Sequence, residues 1–282
     1  MDWFRERSGL DGTVAVVTGG AGGLGRAIVT DLAANGVRPA VVDLDPGAAD
    51  DLRSTLGDAG TDAIVRHGDV RDPTTLESLF TAVDERWGRL DTLVNVAGGT
   101  FRAPFTDTNA KGWDALVRTN LTHVLHACSL AIPRMQRGGR GGSIVNITTV
   151  EAHRAAPGFA VYSATKAAVE QFARTLAVEL APDGIRINNV APDFVPTPNL
   201  TRFSHGDGAL TDPEGVRVAI PMGRAGDVTD VSGCVVFLAS GLSSYVTGTT
   251  LHPDGGTFAS AGWFNWPDTG WANYAPLRFL ER

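Results

Sequence analysis

A glycine-rich run, residues 18–25, lies between a short β-branched segment and an apolar-periodic segment that extends through Asn35. A strand that turns tightly into a helix needs glycines here, because the backbone must make the turn and approach a bound phosphate closely. The N–H groups at the start of the following helix then face the negative charge of the phosphate. The run therefore predicts a dinucleotide-binding loop at the start of a βαβ unit.

The run contains too many glycines to identify the type of loop by spacing alone. Gly20, Gly22 and Gly25 fit GxGxxG, whereas Gly19, Gly22 and Gly25 fit GxxGxxG. Gly19, Gly23 and Gly25 fit GxxxGxG. All three patterns stay open at this point, and motifs further along the chain have to separate them.

Short apolar segments alternate with helix-length segments over most of the chain. Strands are predicted at residues 14–17, 40–43, 63–67, 92–95, 143–147, 186–191 and 250–253. Helix-length connections indicate right-handed crossovers, and strands that are apolar on both faces need helices on both sides of the sheet. We therefore predict an α/β protein with a doubly wound parallel sheet, a Rossmann fold, in one domain over residues 1–256.

Two regions stand outside this alternation. Residues 196–220 are rich in Pro, Gly and Asp, which predicts a long mobile segment. Residues 257–282 form a tail with little periodicity, which predicts an irregular extension packed beside the substrate site or against a neighbouring subunit. Its large aromatic residues are Trp263, Phe264, Trp266, Trp271, Tyr274 and Phe279.

Composition excludes several classes of function. A net charge of -7 without clustered Lys and Arg argues against nucleic acid as a partner. Cys128 and Cys234 form no CxxC, so we expect buried reduced thiols and a cytoplasmic protein. No signal peptide or membrane-length apolar run is recognisable, so we expect no membrane association. His123 and His126 lack a third ligand nearby, so we predict no metal and expect satisfied or surface histidines.

Asp43 ends the second predicted strand, about 20 residues beyond the glycine loop. A carboxylate there accepts hydrogen bonds from both hydroxyl groups of an adenosine ribose and repels a 2′-phosphate. Neither Gly22 nor Leu44 supplies a cation to neutralise that phosphate. We therefore predict NAD rather than NADP as the cofactor, the alternative being that Asp43 only caps the following turn.

Tyr162 and Lys166 lie four residues apart at the start of a predicted helix, so their side chains share one helix face. A tyrosine with an ordinary pKa of about 10 is a poor base near neutral pH, but an adjacent ammonium group and an oxidised nicotinamide ring both favour the phenolate. The YxxxK spacing is a weak signal alone, since it also occurs by chance in surface helices.

Further motifs accompany this pair in order along the chain: a TGxxxGxG-like loop, Asp43, Asp69-Val70, Asn95-Val96-Ala97-Gly98, Asn120, the strand SIVNIT, YxxxK, an NxxxP run ending at Pro192, and YVTGTTLHPDGG. Over residues 10–256 the sequence resembles the short-chain dehydrogenase/reductase family, and the NxAG element and DGG ending resemble its compact branch of alcohol dehydrogenases and ketone reductases. The resemblance implies a homotetramer.

The resemblance also implies roles for individual residues. The implied catalytic residues are Asn120, Thr149, Tyr162 and Lys166. The implied cofactor-binding residues are Gly19, Gly23, Leu24, Gly25, Asp43, Asp69, Val70, Asn95, Ala97, Tyr162, Lys166, Val195 and Thr197. Among them, Asp69 and Val70 would contact adenine, and Asn95 and Ala97 would line the adenosine side. Lys166 would bind the nicotinamide ribose, while Val195 and Thr197 would contact the carboxamide. Asn120 would hold a water that links Lys166 to solvent.

The chain departs from the family pattern at two positions. Thr149 stands where the family usually has Ser, and its hydroxyl still donates to a substrate oxygen, unless Thr148 or no residue fills that role. Asp193 stands where Gly usually follows Pro192, and we expect its carboxylate to point to solvent rather than to stabilise the oxidised ring. Glu151 and His153, after Thr149, are expected in a solvated loop.

These observations predict an oxidoreductase that transfers a hydride between a secondary alcohol or ketone and NAD(H). The tail's indoles and the segment after Val195 suggest a largely apolar substrate, alicyclic, terpenoid, steroid-like or aromatic. A 3-oxoacyl-thioester reductase is an alternative, although cations that favour NADP are absent around the glycine loop. A non-catalytic dinucleotide sensor is another, against which the intact Tyr162, Lys166 and Asn120 argue.

Overall fold

Seven parallel strands form the central sheet in the computed structural model, which describes residues 3–198 and 212–276. The strands are β1 Val14–Thr18, β2 Arg38–Asp43, β3 Ile64–His67, β4 Thr92–Asn95, β5 Gly142–Ile147, β6 Ile185–Val190 and β7 Thr250–Leu251. Their order is β3-β2-β1-β4-β5-β6-β7. The order reverses between β1 and β4, which opens a crevice at the carboxyl ends of these strands. The predicted doubly wound sheet is confirmed, and each predicted strand is present within a few residues of its expected bounds.

Helices cover both faces of the sheet. They are α1 Trp3–Ser8, α2 Gly23–Ala34, α3 Pro46–Asp58, α4 Pro73–Trp87, α5 Ala110–Val117, α6 His123–Gly138, α7 Ala160–Leu180, α8 Pro213–Ala219, α9 Val228–Ala239 and α10 Thr257–Ser260. Neighbouring residues of β1 enter opposite cores: Val17 packs with α2, α3 and α9, and Val16 packs with α4, α6 and α7. This two-sided burial is why the strands are continuously apolar. In the ranges 3–198 and 212–276, no helix has the length and apolar character that a bilayer span requires.

A ladder of buried amide side chains crosses the carboxyl ends of four strands. Asn95 donates to Asn146 at 2.9 Å, Asn146 donates to Asn189 at 3.1 Å, and Asn189 donates to Thr250 at 3.3 Å. These residues are register partners on β4, β5, β6 and β7. We call this series the Asn95–Thr250 ladder. It fixes the edge of the sheet from which the segments after these strands leave.

Two predicted irregular regions contain regular structure, so these predictions are wrong in part. Asp212 caps α8 by accepting from the Glu214 N–H, and Pro213 occupies the first turn, where it needs no hydrogen-bond partner. Residues 199–211 of the predicted mobile segment lie outside the described residues. In the tail, β8 Phe264–Trp266 and β9 Gly270–Ala272 form an antiparallel hairpin, and β8 packs against α8.

Both cysteines are free thiols on helices, Cys128 on α6 and Cys234 on α9, and burial raises the pKa of each. Cys128 is buried, as predicted, whereas Cys234 is only partly buried. Cys128 lies in the core on one face of the sheet, and Cys234 packs against the core on the other face.

Replacing Asn146 by Ala should lower the free energy of unfolding by about 2–4 kcal/mol, because Asn95 and Asn189 would each lose a buried hydrogen-bond partner. Gln136→Ala is the control, since Gln136 is exposed on α6 and its loss should cost less than about 0.5 kcal/mol. Urea unfolding monitored by circular dichroism measures both. Equal stability of the two variants would show that the ladder contributes nothing.

Candidate functional site

The glycine loop joins β1 to α2 and leaves the first turn of this helix open to a ligand. Gly22 precedes α2 and provides no side-chain cap. A Cβ on Gly25 would lie 1.9 Å from the Gly19 carbonyl oxygen, and Gly23 has a φ of +49°. By contrast, a Cβ on Gly22 would meet nothing within 4 Å. Because both patterns that require Gly22 lose their support, the structure favours the GxxxGxG reading. The close backbone and the uncapped helix suit a pyrophosphate group.

Several predicted cofactor residues surround this loop. A Cβ on Gly19 would lie 2.7 Å from the Ala97 Cα, and one on Gly23 would lie 3.4 Å from the Thr197 side chain. Leu24 packs against the core cluster below the loop. The structure therefore brings Ala97 and Thr197 to the loop, as a shared cofactor site requires.

Asp43 connects the end of β2 to the glycine loop. Its carboxylate accepts hydrogen bonds from the Ala21 N–H at 2.8 Å and from the Asp45 N–H at 3.1 Å. Leu44 is exposed beside it, and Arg26 donates to Asp51 and Thr55 on α3. Asp43 is thus more than a cap for the following turn, because it also holds the loop.

Asp69 and Asn95 have protein partners of their own. Arg71 donates to both Asp69 oxygens and holds the pKa of this carboxyl below its usual range, next to the partly buried Val70. The Asn95 amide belongs to the Asn95–Thr250 ladder and is buried. Val195 likewise packs its side chain into the core. The side chains of Asn95 and Val195 therefore have partners within the protein, which leaves only their main chains for the predicted cofactor contacts.

Tyr162 and Lys166 lie one turn apart on α7, and the Lys166 Nζ is 5.9 Å from the centre of the Tyr162 ring. Nζ donates to the Ile147 carbonyl at 2.9 Å. Burial lowers the pKa of Lys166 to about 8, while the Glu170 carboxylate opposes this shift. Burial raises the pKa of Tyr162 to about 12, a hydrogen bond with the Thr149 side chain lowers it, and the Glu151 charge raises it further.

The two threonines after β5 face different partners. Thr149 contacts the Tyr162 side chain, whereas Thr148 Oγ1 donates to Glu170 at 2.8 Å. This arrangement places Thr149 rather than Thr148 beside the predicted base. The alternative in which Thr148 polarises the substrate loses its geometric support.

Asn120 lies in one turn of π-helix, Arg118–Thr122, between α5 and α6. Its amide accepts from the Gly99 N–H at 3.2 Å and donates to the Gly99 carbonyl at 2.8 Å and to the Leu116 carbonyl at 3.0 Å. A π-helical turn inside an α-helix is frequently a functional feature. Here it turns the fully buried Asn120 amide against the segment that passes Lys166.

The loop after Thr149 is exposed over residues 153–155, as expected, but its charged side chains are paired. Arg154 donates to both Asp193 oxygens at 3.0 Å and to Glu151 at 2.9 Å. The Asp193 side chain is 17% exposed, so the expectation that it points to solvent is wrong. The guanidinium also neutralises charge that would otherwise act on a cationic ring. His153 lies in this exposed loop, while its imidazole contacts the buried Glu170.

A cavity of about 630 Å³ adjoins this cluster of charges. Its walls consist of the loop after Thr149, the segment after β6, α8 and the start of the tail. The lining residues are His153, Arg154, Asp193, Phe194, Gly215, Val216, Ala219, Ile220, Thr257, Phe258, Ser260, Ala261, Gly262 and Phe264. Tyr162 is not among them; the Glu151 charge raises the pKa of Tyr162, and the same Glu151 carboxylate accepts a hydrogen bond from Arg154 in the cavity wall.

The tail contributes to this cavity through Phe258 and Phe264. Trp263 and Trp271 nevertheless remain 48% and 49% exposed in the single chain. Tyr274 is 67% exposed as well, so these three side chains are not covered by their own subunit, and packing against a neighbouring subunit stays a prediction. Phe279 lies outside the described residues.

Among the described residues, no group of His, Cys, Asp and Glu side chains has the arrangement of a metal site. His123 is buried rather than exposed, and burial together with the nearby Lys166 charge lowers its pKa to about 3. Sequence reasoning missed Arg154 and Glu170. Glu170 follows Lys166 by four residues, so helix spacing was a usable signal for it, but no local pattern indicated Arg154.

A family model described as Enoyl-(Acyl carrier protein) reductase matches residues 19–257. The chain belongs to the short-chain dehydrogenase/reductase family. Its members are oxidoreductases that use a nicotinamide dinucleotide, and the uncapped α2 and the close-packed glycine loop fit such a group.

Similar proteins in this family span nearly the whole chain. The 3-oxoacyl-(acyl-carrier-protein) reductase FabG of Haemophilus influenzae is 36% identical over 253 residues, 89% of this chain and 100% of that protein. A cyclohexanol dehydrogenase of Rhodococcus sp. is 37% identical over 269 residues, 88% of this chain and 96% of that protein. The crystal structure of gox2181 has a TM-score of 0.84 at 34% identity, covering 91% and 99% of the two chains.

In this short-chain dehydrogenase/reductase, Gly98 is the spacer between Asn120 and Lys166. A Cβ on Gly98 would lie 3.2 Å from Asn120 Oδ1 and 3.4 Å from Lys166 Nζ, whereas one on Gly99 would have its nearest contact at 3.9 Å. Neither glycine has a positive φ, so alanine is conformationally acceptable at both positions.

Gly98→Ala should therefore lower kcat by about tenfold or more, because displacement of reacting groups by fractions of an ångström is costly, whereas Gly99→Ala should keep kcat within about twofold. Steady-state NADH formation, with melting temperature as the folding check, compares the two variants. If both variants retain full kcat, the spacing of Asn120 and Lys166 does not matter.

Proposed function

We propose that this chain is an NAD-dependent dehydrogenase of secondary alcohols with neutral, largely apolar carbon frames, and a reductase of the matching ketones. The contact between Tyr162 and Thr149, with the buried Lys166 one turn away, carries the proposal. A phenol and a hydroxyl that meet in this way offer two hydrogen bonds to one substrate oxygen.

In the proposed mechanism, Thr149 and Tyr162 hydrogen-bond the alcohol oxygen, and the Tyr162 phenolate takes its proton. The raised pKa of the Tyr162 phenol makes its phenolate a strong base. A positive charge on Lys166, one turn away, would favour the phenolate. Lys166 is held in place by the Ile147 carbonyl. The bound nicotinamide supplies the acceptor for the hydride from the carbinol carbon. Asn120 keeps the segment beside Lys166 in position for the proton to leave.

Charge and shape of the cavity support a neutral carbon frame as substrate. Arg154 is matched by Asp193 and Glu151, so it offers no free positive charge to an anionic substrate. The remaining wall is mostly apolar, including Val216, Ile220 and Phe258. The relative named cyclohexanol dehydrogenase agrees with such a frame. The similarity to the reductase from Haemophilus influenzae keeps 3-oxoacyl-thioester reduction as the second candidate.

We also propose that residues 1–256 form the catalytic domain and that the tail, residues 257–282, completes the substrate cavity. Phe258 and Phe264 in the cavity wall support this division. The exposed Trp263 and Trp271 would then be available for contacts in the proposed homotetramer.

Tyr162→Phe tests the proposed function because it removes the phenol oxygen while retaining the ring. Oxidation of cyclohexanol, followed by NADH absorbance, should fall by about a hundredfold or more in kcat. Tyr245→Phe is the matched control, since Tyr245 is fully exposed, and its kcat should not change. Turnover of the Tyr162 variant at the rate of the unchanged protein contradicts the mechanism. Reduction of an acetoacetyl thioester without any alcohol oxidation would favour the second candidate.

Asp43→Asn together with Leu44→Arg should reverse the preference for NAD over NADP. The amide oxygen of Asn still accepts from the Ala21 N–H, while the lost charge and the new guanidinium accommodate a 2′-phosphate. The ratio of kcat/KM for the two cofactors measures the preference. Leu44→Arg alone keeps the carboxylate and should retain more of the NAD preference. If the unmodified protein has a higher kcat/KM with NADP than with NAD, the role given to Asp43 is wrong.

A further inference from the structure

Glu170 is a buried carboxylate on the catalytic helix that does not contact the substrate in the proposed mechanism. It lies four residues beyond Lys166 and eight beyond Tyr162, on the same stripe of α7, and is 2% exposed. A buried carboxylate is costly unless hydrogen bonds or opposite charges compensate it. Its surroundings therefore indicate what it holds in place.

The two Glu170 oxygens have different partners. Oε1 accepts from the Thr148 hydroxyl at 2.8 Å, and Oε2 lies 2.9 Å from His153 Nε2. A carboxylate beside one imidazole nitrogen favours the tautomer with the proton on that nitrogen. In the neutral ring, Nδ1 is then a hydrogen-bond acceptor. Within residues 3–198 and 212–276, His153 Nδ1 has no hydrogen-bond partner.

Aromatic contacts fix the orientation of the His153 ring. Its centre lies 4.8 Å from the His252 ring in an edge-on arrangement and 5.1 Å from the Phe258 ring. His252 in turn stacks on Phe258 with ring centres 4.8 Å apart. The imidazole is therefore held on one side by Glu170 and on the others by two rings, and its remaining surface forms part of the cavity wall.

The uncharged polar side chains among the described lining residues are His153, Thr257 and Ser260, and the hydroxyls of Thr257 and Ser260 already donate to Asp254 and to the Thr257 carbonyl. Arg154 and Asp193, the charged lining residues, are paired with each other. Val216, Ile220 and Phe258 line the same cavity, so a hydrogen-bond acceptor on His153 matches a hydroxyl group carried by an otherwise apolar frame.

We propose that His153, positioned by Glu170, accepts a hydrogen bond from a second hydroxyl group of the substrate, so that the enzyme prefers neutral diols to mono-alcohols of the same frame. This inference rests on the proposed oxidation of secondary alcohols at Tyr162 and names the substrate class of that site. His153 touches the substrate, and Glu170 acts through His153 as a positioning residue.

The physical basis of this preference is the unpaired acceptor. A site that hydrogen-bonds a substrate hydroxyl discriminates against an analogue without it, because the polar group of the protein is left without a partner. His153 is partly accessible, with 21% of its side chain exposed, so water compensates part of this loss. We therefore expect discrimination of about tenfold to a hundredfold in kcat/KM rather than the larger factors of fully enclosed sites.

The experiment compares cyclohexanol with the positional and cis/trans isomers of cyclohexanediol as substrates for NAD reduction. For the natural protein, at least one diol should exceed cyclohexanol in kcat/KM by about tenfold or more. His153→Leu should bring the ratio of kcat/KM for the diol to kcat/KM for cyclohexanol close to one, mainly because KM for the diol rises. His153→Gln, which restores a hydrogen-bonding side chain, should recover part of the ratio. Glu170→Gln retains the shape of the buried side chain but removes its charge beside His153, so the same ratio should fall.

His126→Leu is the matched control. His126 also faces a glutamate, Glu77 at 3.9 Å, but it lies on α6 outside the cavity lining. The His126→Leu variant should have the same ratio of kcat/KM for the diol to kcat/KM for cyclohexanol as the natural protein. Melting temperature and NADH fluorescence titration establish that each variant is folded and binds the cofactor; a His153→Leu protein that fails either check is replaced in the comparison by His153→Gln and Glu170→Gln.

The outcomes separate the two proposals. Oxidation of cyclohexanol with no diol preferred overturns the role of His153 and leaves the proposed function intact. A diol preference that persists in the folded His153 and Glu170 variants overturns it as well. If no alcohol of either kind is oxidised although NADH binds, the proposed function fails, and the inference about His153 fails with it.

Discussion

The in-register hydrogen bonds of the Asn95–Thr250 ladder hold together the edge of the sheet on which the site depends. Each ladder residue is at or near the end of its strand, and the functional segments begin within a few residues of it. Ala97 follows β4, Thr149 follows β5 and Val195 follows β6. Because the amides are buried and donate in one direction from β4 to β7, the four strand ends have one preferred alignment. Thr149 follows β5, and Lys166 donates to the Ile147 carbonyl at the end of the same strand, so the alignment of the strand ends determines where the two side chains lie.

A second constraint is the burial of Lys166. Its ammonium is removed from water and keeps one strong acceptor, the Ile147 carbonyl, together with the charge of Glu170. Burial alone favours loss of the proton, whereas Glu170 favours its retention. The positive charge that a phenolate at Tyr162 needs is thus maintained from behind by a residue that does not approach the phenol. Thr148 and Thr149 are adjacent in sequence, but the Thr148 hydroxyl donates to Glu170, whereas the Thr149 side chain contacts Tyr162.

The fold and part of the site follow from local sequence patterns. Strands such as 92–95 are short and apolar, and the spacing of Tyr162 and Lys166 is a property of one helix, so neither depends on distant residues. Contacts such as Asn146 with Asn189, or Arg154 with Asp193, join segments far apart in sequence. Their existence depends on strand register and loop path, which no local pattern encodes. The same limit applies to the pairing of His153 with Glu170, because the two residues lie on different elements.

The tail, which includes the β8–β9 hairpin, tolerates changes in sequence and length that the core of the sheet does not. The proposed proton transfer depends on α7 and the ends of β5 and β6, all of which are anchored in the core. One wall of the cavity, by contrast, comes from Phe258 and Phe264 in the tail. Substitutions or length changes in this last stretch reshape the space for a carbon frame without disturbing the sheet. Related enzymes are therefore able to change their substrate range through the tail while they keep the same catalytic residues. Recombination at Gly255 and Gly256 would transfer the whole tail, and its part of the substrate selectivity, in one step.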